Sequence, residues 1–209
     1  MYMFNRLGSL FTEASLWIWK SMQLNVIWFM HILLGGVVLG FFPATTAMFA
    51  TTRRWLKGGL EEPIYDGYHR YYKAHFWKTN AIGWIYTSIG VFLALDLYLV
   101  TQLKGIVVLF STAIILFLSI LYVFSFLYVF PYYVHFEQSL KHYLIQPFIL
   151  TLISFKQNLV ITIGLTMVGY LIYQMPGLIP FALGVMPAYW IMKVSMNRYN
   201  QFAATGGKA

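Results

Sequence analysis

No formally charged residue falls between Lys20 and Arg53, between Lys104 and Glu137, or between Lys156 and Lys193. A fourth stretch, 79–103, is interrupted only by Asp96. Each interval is longer than the roughly 20 residues an α-helix needs to cross a hydrocarbon layer of about 30 Å. Four apolar runs of that length in one chain cannot all be hidden in a single water-soluble core. Composition agrees: 60% of the side chains are hydrophobic and 10% charged, against roughly a quarter charged in an ordinary soluble domain. The fold class this predicts is all-α, a polytopic membrane helical bundle forming a single membrane domain over 1–209.

Prolines and glycines divide the longest runs. The interval from Lys156 to Lys193 exceeds any single span and holds Pro176, Gly177 and Pro180, so it reads as two helices, 157–175 and 178–196, joined by a tight turn. The interval from Lys20 to Arg53 carries Pro43 beyond its middle. A first span over 24–43 is expected to kink or break there, with Pro43 heading a second segment that leaves the bilayer. With 79–100 and 106–131 this makes five spans. Residues 1–20 repeat apolar side chains at Phe4, Leu7, Phe11, Ala14 and Ile18, the spacing of an amphipathic helix lying on the membrane surface.

The stretch 142–155 is too short to span and contains Pro147, which suits an interfacial or re-entrant helix. Charge asymmetry sets the orientation. With five spans, Arg6, Lys20 and Lys104 share one side and the other eleven of the 14 Lys and Arg share the opposite one. The positive-inside rule then places the N-terminus outside and the C-terminus in the cytoplasm, with segments 53–78 and 135–156 cytoplasmic. The net charge of +8 is thereby explained by anionic lipid headgroups, and no nucleic-acid partner is expected.

Few residues offer chemistry. Cysteine is absent, which excludes disulfides, thiolate nucleophiles and cysteine-ligated metals. The histidines show no metal-binding spacing, and no hydrolase, Walker or dinucleotide motif occurs, so no catalytic residue, cofactor or metal is expected and the chain is not read as an enzyme. Gly36, Gly40 and Ala44 form a small-residue strip that lets two helix backbones approach, either within one subunit or against a partner, with Pro43 beside it. His31 lies in the first span, as a neutral histidine bonded to a neighbouring helix or as a proton carrier. Asp96 sits near the outer end of the second span, where water or Lys104 can satisfy it.

Residues 65–78 interleave aromatic and basic side chains, with Tyr68, Tyr72 and Phe76 on one helical face and Arg70, Lys73 and Lys78 among them. Beside a span, such a helix belongs in the cytoplasmic headgroup layer or serves as a docking surface. Glu137 and Lys141 have the i, i+4 spacing of a weak helical salt bridge.

The order of GFFPATTAMFATTRRWLKG at 40–58, DGYHRYYKAHFWK at 66–78, LALDLYL at 93–99, YVFPYYVHFEQSLK at 128–141 and LGVMPAYW at 183–190 resembles the YesL family of bacterial integral membrane proteins. The resemblance implies a location in the bacterial cell membrane and no established activity. Family members tend to be encoded beside carbohydrate ABC importers. The implied role is a noncatalytic membrane subunit associated with such an importer, touching its permease or ATPase subunits; the alternative is a stand-alone channel or carrier for a small solute, using His31 and Asp96. The layout is also similar to sugar-importer permeases, whose cytoplasmic loop docks the ATPase. The corresponding loop, 136–157, lacks the glycine of that docking motif between Glu137 and Lys156.

Overall fold

The computed structural model describes residues 2–102 and 104–204, with side chains over 11–102 and 104–200. Among the described residues eight α-helices follow one another: α1 Tyr2–Leu34, α2 Phe41–Leu56, α3 Tyr65–Val100, α4 Ile106–His135, α5 Leu140–Ile153, α6 Phe155–Gln174, α7 Ile179–Ala182 and α8 Val185–Ala204. By length and composition, α3, α4 and α6 can each cross a membrane, and Pro176–Ala182, a 3-10 turn running into α7, makes a fourth span with α8 if the pair, bent by 52°, is counted as one. The molecule is thus an all-helical membrane protein.

The single helix expected over 24–43 does not form. The helix α1 stops at Leu34, and residues 35–40 turn the chain back so that α2 returns alongside. Consecutive glycines make the turn possible. Gly36 has φ +69° and carries Val37 with it at φ +65°, while the Val37 N–H donates to Ile32 O at 2.9 Å and satisfies one carbonyl of the ending helix. Gly35 packs directly on the Gly40 backbone, where any side chain would collide. Pro43 then falls in the first turn of α2, where its missing N–H costs nothing.

Both ends of this hairpin lie together. Lys20 Nζ donates to Glu61 O at 3.3 Å and Glu62 O at 3.0 Å, in the connector after α2. From Lys20 to Leu34 the helix rises only about 21 Å, less than the hydrocarbon thickness. Lys20 on α1 and the connector after α2 are neighbours. Of the amphipathic stripe expected over 1–20, Phe4 and Leu7 lie outside the described side chains; Phe11 and Ile18 are exposed, and Trp17 packs edge-on against Tyr189.

The helix α3 is about 54 Å long, far beyond one bilayer core, because the aromatic-basic segment 65–78 and the apolar stretch 79–100 are a single helix. Its first half is clamped by the hairpin: Tyr68 OH donates to Ala44 O at 2.7 Å, Asn80 Nδ2 donates to Leu39 O at 2.9 Å, and Gly83 lets the Phe42 ring lie on the α3 backbone. Gly105, at φ +80°, turns the chain into α4, which runs back beside α3 and brings Ser125 within 3.0 Å of Tyr86 OH.

The helix α5, with 14 residues, is shorter than the helices that can cross a membrane. At its start Tyr143 OH donates to Phe136 O at 2.7 Å; at its end Arg198 donates to Ser154 Oγ and Ile153 O, and the next residue, Tyr199, packs on His135 and Phe136. Its two ends thus meet the same end of the bundle. Asn25 on α1 joins the other hairpin: its Oδ1 accepts from the N–H groups of Gly184 and Val185 at 3.1 and 3.2 Å, which otherwise begin α8 unpaired, and its Nδ2 donates to Pro180 O. Gly164 on α6 makes room for Trp190, whose indole donates to Val160 O at 3.1 Å.

Candidate functional site

The end of the bundle that holds Arg53, Lys78 and Lys141 contains a cavity of about 500 Å³ between α2, α3, α4 and the connector 136–139. Its polar lining comes from α2, α3, α4, the connector and the first turn of α5. From the last turn of α2 comes Arg53, whose neighbour Arg54 pairs with Glu62 at 3.4 Å. Arg53 itself has a buried Nε without a hydrogen-bond partner and no carboxylate partner among the described residues.

Residues 65–78 of α3, before its apolar stretch, contribute Tyr71, His75 and Lys78 on one face. His75 stacks on Tyr71 at 4.1 Å between ring centroids, and its Nδ1 lies 2.8 Å from Tyr133 OH on α4. Burial, reinforced by Lys78, holds this imidazole below the ordinary histidine value, with Glu137 acting in the opposite sense. Lys78 Nζ donates to Gln138 O at 3.2 Å and sits 4.7 Å from the Tyr143 ring centroid.

The connector is held in place by Tyr143, which accepts from Gln138 N–H at 2.8 Å while donating to Phe136 O. Phe136 is extended, at φ −119° and ψ 139°, so α4 ends there. The helical pair expected of Glu137 and Lys141 is consequently not formed: Glu137 lies in the connector at the cavity rim and Lys141 on the first turn of α5, both exposed.

The other sequence-derived residues lie elsewhere. His31 is 1% exposed; its Nδ1 is 2.8 Å from Ile27 O, and its Nε2 is 3.0 Å from His69 Nδ1, among Tyr65, Tyr68 and Tyr72 of α3. Tyr72 OH donates to the His31 carbonyl at 3.1 Å. Asp96 is half-buried near the far end of α3, about 40 Å along the helix from His69.

Tyr68 and Tyr72 are buried and Phe76 half-buried against the hairpin, whereas Arg70, Lys73 and Trp77 face outward at i, i+3, i+7 spacing, Trp77 being 76% exposed. Gly36, Gly40 and Ala44 do not share a helical strip. Gly36 lies in the turn, Gly40 abuts Ile32 O, and Ala44, fully buried, lies at the Tyr68 contact, so the approach they permit is spent inside this subunit.

Sequence reasoning did not single out Arg53, Tyr71, His75, Tyr133 or Tyr143. The i, i+4 spacing of Tyr71 and His75 was visible; their convergence with α2 and α4 was not. Among the described residues no group of three His, Asp or Glu side chains is placed to hold a metal ion.

A family described as a protein of unknown function, DUF624, matches residues 21–97, the hairpin and nearly all of α3. Three relatives come from Bacillus subtilis (strain 168), each described as an uncharacterized protein. YesV is 35% identical over 162 residues, 78% of each chain; YteU is 29% identical over 179 residues, 85% of this chain and 80% of its own. YesL is 33% identical over 87 residues, 42% of each chain. No solved structure matches.

Proposed function

The chain belongs to the DUF624 family of YesL-like proteins, and on that premise we propose that it is a noncatalytic integral membrane subunit of the bacterial cell membrane, associated with a carbohydrate ABC importer. The observation that carries this reading is the outward face of α3. One face of the 65–78 extension is locked to α1 and α2, so Arg70, Lys73 and Trp77 form a rigid, aromatic and basic platform beyond the apolar stretch. Such a platform suits a permease or ATPase subunit at the membrane surface, since exposed aromatic and arginine side chains on a fixed element are what protein interfaces use. A stand-alone channel through His31 and Asp96 fits less well, because about 40 Å of α3 separates the two.

The topology that accompanies this role has four spans and both termini in the cytoplasm. Its support is the re-entrant hairpin, which adds no net crossing, and the charge distribution: with α3, α4, α6 and α7–α8 as the spans, Lys104 alone of the 14 Lys and Arg faces outside. This is a sharper bias than the five-span arrangement has.

The test is gentle purification of the tagged chain from host membranes in which a carbohydrate ABC importer of the same host is expressed. The expected result is stoichiometric recovery of permease and ATPase subunits, lost when Arg70, Lys73 and Trp77 are all replaced by Ala. Recovery of the chain without either subunit sinks the importer reading.

A further inference from the structure

We propose that the cavity between Arg53 and Lys78 is a binding site for a phosphate group, carried either by a lipid headgroup or by a soluble phosphate.

The cavity brings together two cations from different helices. Arg53 arrives on α2 and Lys78 on α3, and among the described residues neither has a carboxylate partner. The one acid at the cavity, Glu137, is exposed at its rim. An arginine whose Nε is buried and unpaired has lost hydration without gaining a protein acceptor, and a ligand oxygen in the cavity would supply one. Its planar fork matches two phosphate oxygens at once.

Lys78 is oriented by Gln138 O and by the Tyr143 ring, and an ammonium with three donors keeps others to offer. His75 completes the set. Its Nδ1 is engaged with Tyr133 OH, and its other ring nitrogen has no partner among the described residues. Three donors from two helices converge on one space, which suits a tetrahedral group with several oxygens better than a planar carboxylate. The space of about 500 Å³ admits a phosphate together with part of the molecule that bears it. The site also opens at the basic end of the bundle, the end the charge bias turns toward anionic headgroups.

Phosphate binding at the cavity needs no importer subunit, so the experiment uses the isolated full chain in detergent micelles. Inorganic phosphate is titrated against the thermal unfolding midpoint, with sodium chloride at equal ionic strength as the control. In parallel, phosphatidylglycerol and diacylglycerol are offered in mixed micelles and retention is read by native mass spectrometry. The expected result is saturable binding of at least one phosphate-bearing probe, weakened about tenfold or more by R53Q/K78Q, as the loss of two charge-assisted contacts implies. K156Q/K193Q, which removes equal charge from exposed positions on α6 and α8 outside the cavity, leaves binding within about twofold of the parent if the site is the cavity.

Binding of inorganic phosphate assigns the site to a soluble ligand; retention of phosphatidylglycerol alone assigns it to lipid. If the double variant aggregates, Lys78→Gln, on an exposed side chain, carries the test. The proposal is overturned if neither probe binds, if diacylglycerol is retained as well as phosphatidylglycerol, or if the cavity variant that folds binds like the parent.

Discussion

Asn25 satisfies two N–H groups and one carbonyl at the α7–α8 break from a helix more than 150 positions away in sequence. Removing its amide leaves those backbone groups unpaired inside the protein, a cost of about 1–3 kcal/mol for each unsatisfied group less whatever water recovers. Asn25→Ala should therefore destabilise the fold by about 2 kcal/mol, read as a lowered unfolding midpoint in detergent, while Tyr72→Phe, which loses one bond to the His31 carbonyl, should cost about 1 kcal/mol. A midpoint for Asn25→Ala equal to the parent's would mean that the break is held by lipid instead.

Gly83 makes a different prediction. A methyl there would enter the Phe42 ring, so Gly83→Ala should cost about 1–3 kcal/mol, and Phe42→Leu in the same chain should recover part of it. At this scale the sequence was informative about faces and silent about partners. The spacing of Tyr68 and Tyr72 placed them together, but their acceptors, the Ala44 and His31 carbonyls, belong to backbone that only the folded hairpin brings near.

Among the elements, the hairpin is where the chain departs most from its hydropathy. A run without charge from Lys20 to Arg53 looks like one span because apolarity records affinity for lipid and not the direction of the backbone. The reversal depends on Gly35, Gly36 and Gly40, which play unequal parts. A side chain at Gly40 would strike the Ile32 and His31 carbonyls, whereas one at Gly36 meets open space and only strains a left-handed backbone. Gly40→Ala should cost about 3 kcal/mol and Gly36→Ala about 1 kcal/mol, measured as midpoints in the same detergent. The reverse order would show that the turn is not built on the Gly35–Gly40 contact. For α5, length and Pro147 already argued against a span; its return to the Arg198 end had no signature in the sequence.

Across the whole molecule, the absence of cysteine makes topology directly measurable. Single substitutions Lys20→Cys, Lys104→Cys and Lys156→Cys, probed in intact cells with a membrane-impermeant maleimide, should label at Lys104→Cys alone until the membrane is permeabilised. Labelling of Lys20→Cys from outside would restore an odd number of crossings.

Membrane residence and an all-helical chain were determined by the sequence alone, because uncharged runs of spanning length leave lipid as their solvent and helices as the structure that satisfies their backbone within each segment. The return of the first apolar run, and the meeting of Arg53, His75 and Lys78 around one cavity, were decided by tertiary structure. Both depend on contacts between residues far apart in the chain, such as Lys20 with Glu62 and His75 with Tyr133, which no local periodicity records.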